Sequence, residues 1–236
     1  MNILLWSERL ALLALILAFA GIIVTRFGKL KIGLAVFALG CLLCLPAVLG
    51  IGWGWALSAT PVKPIFTALL LVLCLIPAIM TVKFLATRHQ YPRIHDITTD
   101  TEDPPVFQAA PNHRKENHNP LDIKPESISL QRKSYSDLKT LSVSLSRAAA
   151  FERAREVGRQ MGWVFYWDDP EGGTLEGVAT TRLMGFKDDI IVRIRTEGAN
   201  TRIDLRSVSR RGRGDVGANA KRIRKFQRLF QQKSAS

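Results

Sequence analysis

The chain has 236 residues, 33 Lys and Arg against 20 Asp and Glu, a formal net charge of +13, and 47% hydrophobic residues. Residues 1–90 carry 7 basic residues and 1 acidic residue, whereas residues 91–236 carry 26 and 19, so a nearly uncharged first part is joined to a richly charged second. About 145 residues follow the first part, enough for one domain of ordinary size and too few for a large multidomain enzyme.

The chain is free of charge from Leu10 to Thr25, from Ile32 to Val62 and from Ile65 to Val82. A bilayer core of roughly 30 Å needs about 20 mostly apolar residues in a helix, which alone satisfies its backbone polar groups there. The spacing predicts three spans, roughly Leu10 to Thr25, Ile32 to Ile51 and Ile65 to Leu85. Trp6, Trp53 and Trp55 fall at the interfaces, and Gly50, Gly52, Gly54 and Pro61 read as the turn between the second and third spans. Ala18-Phe19-Ala20 resembles a signal-peptide cleavage site, but Glu8 cancels Arg9 in the preceding region, so the first span reads as retained. Pro46 and Pro77 read as packing kinks. Cys41, Cys44 and Cys74 all lie within spans, where a thiolate is disfavoured, so the C-x-x-C spacing of the first two reads as packing.

Residues 89–134 contain Pro104-Pro105, Pro111, Pro120 and Pro125 and no sustained apolar period; they read as an irregular linker or wrap-around arm. The domains are therefore a membrane anchor over 1–88, this arm over 89–134 and a soluble domain over 135–236. In the last, Ser146 caps a helix with apolar positions Ala149, Ala150, Ala154, Val157 and Met161, ending near Gly162. Strands follow at Trp163 to Trp167 and Leu175 to Thr181. Asp189 to Thr196 alternates as a strand with one covered face. The short turn Glu197-Gly198-Ala199-Asn200 joins it to Thr201 to Val208 as a hairpin. From about Val216, Ala220, Ile223, Phe226, Leu229 and Phe230 form the apolar face of a C-terminal helix. The fold class is three N-terminal transmembrane helices followed by an α+β domain, α-β-β-β-β-α, with an antiparallel sheet and helices on one face.

The stretch from Arg206 to Arg222 leaves a strand, crosses three glycines and enters a helix. Such a junction offers free backbone N–H groups to an anion, with Arg206, Arg210 and Arg213 as forked donors and Ser207, Ser209, Asn219 and Arg222 beside them. The equally economical alternative is that Asp215 caps the helix and the glycines make the turn. It is neither a Walker loop nor a dinucleotide fingerprint. Asp188 and Asp189 could bind a cation, act as an acid/base pair or reach arginines across the sheet. Adjacent strand residues point to opposite faces, which favours the arginines.

The four histidines, His89, His95, His113 and His118, all precede the predicted core, so a Ser-His-Asp or Cys-His site confined to that core is excluded. His95 with Asp96, Asp100 and Asp103 lacks the tight spacing of a metal site and reads as solvated. No metal or cofactor is expected. Residues 202–236 hold 11 basic and 2 acidic residues. Without stacking aromatics on the basic face, this basic C-terminus fits an anionic lipid surface or another envelope protein better than nucleic acid, and a merely solvated helix face accounts for such a run equally well.

The runs Tyr91-Pro92-Arg93-Ile94-His95-Asp96-Ile97-Thr98-Thr99-Asp100, Gly185-Phe186-Lys187-Asp188-Asp189, and Arg206 through Arg210 with Gly214 through Ile223 closely resemble the bacterial family called domain of unknown function 1499. The resemblance covers most of residues 91–230. It marks Asp188, Asp189, Arg206, Ser207, Ser209, Arg210, Asp215, Asn219 and Arg222 as motif positions and implies no particular activity. The family's smaller members look exported or lipid-anchored with a cysteine pair; this chain has three spans instead. Loop charges, Arg26, Lys29 and Lys31 against Lys63, argue for a cytoplasmic domain. The resemblance implies an extracytoplasmic one, and the reading adopted is a multi-pass protein of the bacterial inner membrane with its domain on the periplasmic side. The expected function is a membrane-anchored binding or accessory module of the envelope recognising an anionic ligand or lipid head group. The alternative is a carboxylate-dependent enzyme using Asp188, Asp189 or Asp215 at the membrane surface.

Overall fold

The computed structural model describes residues 3–57 and 64–232. It divides the chain into two compact units, residues 1–89 with 182–185, and residues 90–181 with 186–236.

The first unit holds α1 (Ile3–Arg26), α2 (Leu30–Leu57) and α3 (Pro64–Thr87), each long and apolar enough to cross a bilayer. Lipid is as apolar as leucine, so helices associate there through close backbone approach at small residues. The buried face of α1 is accordingly Ser7, Ala11, Ala14, Ala18, Gly21 and Thr25, and that of α2 includes Gly33, Gly40, Cys44, Ala47 and Gly54. The three cysteines are buried between the helices. The glycines expected to form a turn instead belong to α2, which runs on to Leu57. A Cβ on Gly50 would lie 2.2 Å from Ser7 Oγ, and one on Gly54 3.1 Å from Leu4 Cβ. Gly50 and Gly54 are contact points against α1, and helical hydrogen bonding keeps the backbone of all three glycines satisfied in an apolar medium. Pro61 lies outside the described residues.

The second unit is a six-stranded antiparallel sheet: β1 (Asp96–Thr98), β2 (Leu141–Val143), β3 (Val164–Asp169), β4 (Thr174–Thr180), β5 (Lys187–Glu197) and β6 (Asn200–Ser209). The order is β1-β6-β5-β4-β3, and β2 also pairs with β6. The meander β3 to β6 matches the four expected strands, and Glu197 opposite Asn200 closes the hairpin at the expected turn. α4 (Pro125–Ser134), α5 (Arg147–Gln160) and α6 (Ala218–Gln232) complete the unit. Ser146 Oγ accepts the Ala149 N–H at 3.2 Å, the expected cap. Ala149 itself is exposed, and Phe151 fills the core beside Ala150, Ala154 and Val157.

The main core lies between α5, α6 and one sheet face. Ile190, Val192, Ile194, Ile203 and Leu205 meet Phe151, Val157, Phe226 and Phe230 there, and Trp163 stacks on Phe226 at 5.3 Å. The alternation of β5 predicted one covered face, yet both are covered. The arm, which belongs to this unit, lies across the second face, where Phe107 and Ala110 pack on Ile191 and Val208. Two short elements in this arm, β1 and α4, carry too few residues to show a period in sequence.

Candidate functional site

The period of two along a strand sorts the candidate residues onto opposite faces of the sheet. Asp188, Ser207 and Ser209 point to the helix side, whereas Asp189, Arg206 and Arg210 point to the arm. The groups expected to converge on one anion therefore form two separate clusters, and Arg213 is exposed outside both.

On the arm side, Asp189 is fully buried and Arg210 is 8% exposed. Arg210 donates to both carboxylate oxygens, with Nη2 to Oδ1 at 2.6 Å and Nε to Oδ2 at 3.0 Å. Arg114 of the arm donates to the same carboxylate, and Tyr166 Oη donates to it at 3.1 Å. Burial pushes the Tyr166 phenol well above its ordinary value. His113 lies against the Tyr166 ring at 4.2 Å. Burial, with Arg114 and Arg210 nearby, holds the His118 imidazole below its usual value.

Two residues further along the same sheet face, Arg206 donates to Asp96 of β1 through Nε at 3.0 Å and Nη2 at 2.7 Å, and to Pro105 O at 3.0 Å. Glu176 on β4 is fully buried. Its carboxylate accepts the N–H groups of Gln108 at 2.6 Å, Ala109 at 3.1 Å and Ala110 at 2.8 Å. Asp100 and Asp103 are also tied down, by Arg202 at 2.9 Å and Arg195 at 2.8 Å. The arm is thus fastened to the sheet by charge-assisted bonds along its length.

On the helix side, Arg222 Nη2 donates to Asp188 at 2.5 Å and its Nη1 to Ser207 Oγ at 3.0 Å. Ser207 donates to Asn219 Oδ1 at 2.7 Å, while Asn219 Nδ2 donates to Ser209 Oγ at 2.9 Å and His95 O at 3.0 Å. Asp215 accepts the N–H groups of Gly217 at 2.9 Å and Asn219 at 2.7 Å, so its carboxylate already occupies the start of α6. This is the alternative in which Asp215 caps the helix. Burial raises the proton affinity of Asp215, and the charge of Asp188 adds to it.

Val216 and Gly217 turn the chain into α6 with φ of +51° and +76°. Glycine adopts this conformation freely, but a β-branched side chain is strained there. Val216 is 41% exposed, so little burial is at stake. Val216→Asn is expected to stabilise the domain by about 1 kcal/mol, since asparagine tolerates left-handed backbone. Denaturant unfolding that shows no gain would contradict the strain assignment.

Sequence reasoning did not single out Arg114, Tyr166 or Glu176. Glu176 carried a signal, being one acid inside the otherwise uncharged strand Thr174–Thr180. No curated protein matches the chain. The family described as protein of unknown function (DUF1499) matches residues 96–230, a span that opens on Asp96, the partner of Arg206, and ends on Phe230 of the helical core, and the chain belongs to that family.

Proposed function

We propose that this protein is a membrane-tethered binding module of the bacterial inner membrane, with its α+β domain on the periplasmic side and an anionic group as its ligand. One observation carries the choice of a binding module over an enzyme. The six buried carboxylates among the described residues, Asp96, Asp100, Glu176, Asp188, Asp189 and Asp204, are each held by arginine or backbone N–H donors. A general acid or base must exchange its proton with a substrate, and carboxylates saturated with cationic donors are poor at this.

Asp215 is the specific observation behind the second reading, a carboxylate-dependent enzyme, because burial raises its proton affinity and perturbed carboxylates are common at catalytic sites. Asp215→Asn separates the two, since asparagine still accepts one helix N–H but cannot exchange a proton. Native mass spectrometry of the full chain released from bacterial membranes is expected to find the same bound species on wild type and variant. A species of different composition trapped only on Asp215→Asn would establish the enzyme instead.

The same variant reads out the pH dependence. A carboxylate whose folded midpoint is raised binds its proton more tightly folded than unfolded. The associated stability is complete below the ordinary value of 3.8 and is lost as pH rises through the folded midpoint. Wild type is therefore expected to lose stability relative to Asp215→Asn across that window.

A further inference from the structure

A cleft of about 250 Å³ opens on the helix side of the sheet, lined by Met161, Trp163, Ala179, Thr180, Thr181, Ala218, Lys221, Arg222 and Lys225. We propose that this cleft binds a phosphate ester, the phosphate held by Lys221 and Lys225 and its carbon body resting on Trp163 and Met161. The proposal deepens the binding-module reading and rests on it.

The cationic wall follows from helix geometry. Lys221, Arg222 and Lys225 recur with Ala218 at spacings of three and four, so one face of α6 presents all three charges. Ala218 between them leaves room for a ligand to approach the helix. The lining contains no carboxylate. Arg222 is already paired with Asp188 and bonded to Ser207 and Asn219, so the two lysines supply the uncompensated charge. Lys221 lies 5.4 Å from the centre of the Tyr91 ring. Neither lysine forms an ion pair with a carboxylate among the described residues.

The remaining walls select the ligand's other end. Trp163 is held by its stack on Phe226, and with Met161 and Ala179 it forms an apolar floor. Thr181 Oγ1 accepts the Phe186 N–H at 2.9 Å, which leaves its hydroxyl hydrogen available as a donor. Low-dielectric walls around charges of one sign concentrate the field on a bound anion. Lysine ammonium groups bind phosphate as point charges from several directions. Typical small-molecule sites are about 300–1,000 Å³, so this cleft of about 250 Å³ suits a phosphoglyceryl-sized group. Such a group could come from a membrane lipid or from a free phosphate ester.

The test is calorimetric titration of the full chain in uncharged detergent with three probes: glycerol 3-phosphate, a short-chain phosphatidylglycerol, and glycerol. Binding of either phosphate probe with none of glycerol is expected. Binding of the short-chain lipid alone identifies a lipid head group, and equal binding of glycerol 3-phosphate identifies a free ester. Lys221→Ala with Lys225→Ala is expected to weaken binding at least tenfold, about 1.4 kcal/mol. Lys221→Arg with Lys225→Arg retains binding, and so does Arg228→Ala, on α6 outside the cleft. Both lysines are exposed, so the alanine variant keeps its fold, as its unfolding curve will show. Phosphate probes that bind no better than glycerol, or an alanine variant that binds like wild type, overturn the proposal. If the species found by native mass spectrometry persists on that variant, the cleft fails while the binding module stands. A species trapped on Asp215→Asn would instead remove the binding-module reading itself.

Discussion

Asp189→Ala is expected to cost about 3–5 kcal/mol, because it strands two buried guanidiniums at once. The side chains of Arg114 and Arg210 are 7% and 10% exposed and share the one carboxylate. Burial already lowers the proton affinity of Arg114, with Asp189 opposing it, so removing the carboxylate leaves desolvation uncompensated. A domain of this size is stable by about 5–15 kcal/mol, and the variant therefore stands close to unfolding. Denaturant titration of the full chain in detergent, followed by tryptophan fluorescence, measures the loss. Proteolysis should first cut the arm around Arg114, where the fastening has gone. Tyr166→Phe removes one neutral donor from the same carboxylate and should cost only about 1 kcal/mol. An Asp189→Ala variant within 1 kcal/mol of wild type would mean that the arm side is not held by this charge cluster.

Gly40→Leu should separate α1 from α2. A Cβ at position 40 would lie 2.4 Å from Ala18 N and 2.6 Å from Ala14 O, closer than any side-chain carbon can stand to backbone. Even alanine requires the helices to move, and leucine removes the close approach on which their association in lipid depends. The expected result is a fall of at least about 10 °C in the temperature at which the detergent-solubilised protein loses its monodisperse elution. Gly52→Leu is the matched control. It sits in the same helix with nothing within 4 Å of its Cβ position, and it should leave that temperature unchanged. Equal behaviour of the two variants would refute the packing seam.

Much of this architecture was legible in periodicity. The three spans, the four meander strands and both core helices follow from charge-free runs, alternation and three-to-four spacing. The separation of Asp188 from Asp189 was also readable, because the hairpin turn fixes the register of β5 on β6 and places Arg210 diagonally from Asp189 on the same face. The sequence left residues 89–134 open between a linker and a wrap-around arm, and what fastens the arm was not readable. Its backbone is irregular, and what holds it are single long-range partners: Arg206 for Asp96, Glu176 for residues 108–110, Asp189 for Arg114. Nothing local in Asp96 or Arg114 announces a partner 110 or 75 residues away. The glycines of α2 misled for the opposite reason. Their usual turn-forming freedom counts for little where every broken hydrogen bond is exposed to hydrocarbon.

The pairing of β1 with β6 also sets an order of events during synthesis. β1 emerges directly after the last span, yet its neighbour is the final strand of the sheet, and Asp96 waits 110 residues for Arg206. Until β4, β5 and β6 have been made the arm has no complete face to lie on, and the acids at 96, 100 and 103 wait for the arginines at 193, 195, 202 and 206. Closing so long a loop is slow compared with forming helices. The domain therefore cannot mature strand by strand as it leaves the ribosome, and assembles only when nearly the whole chain has been made.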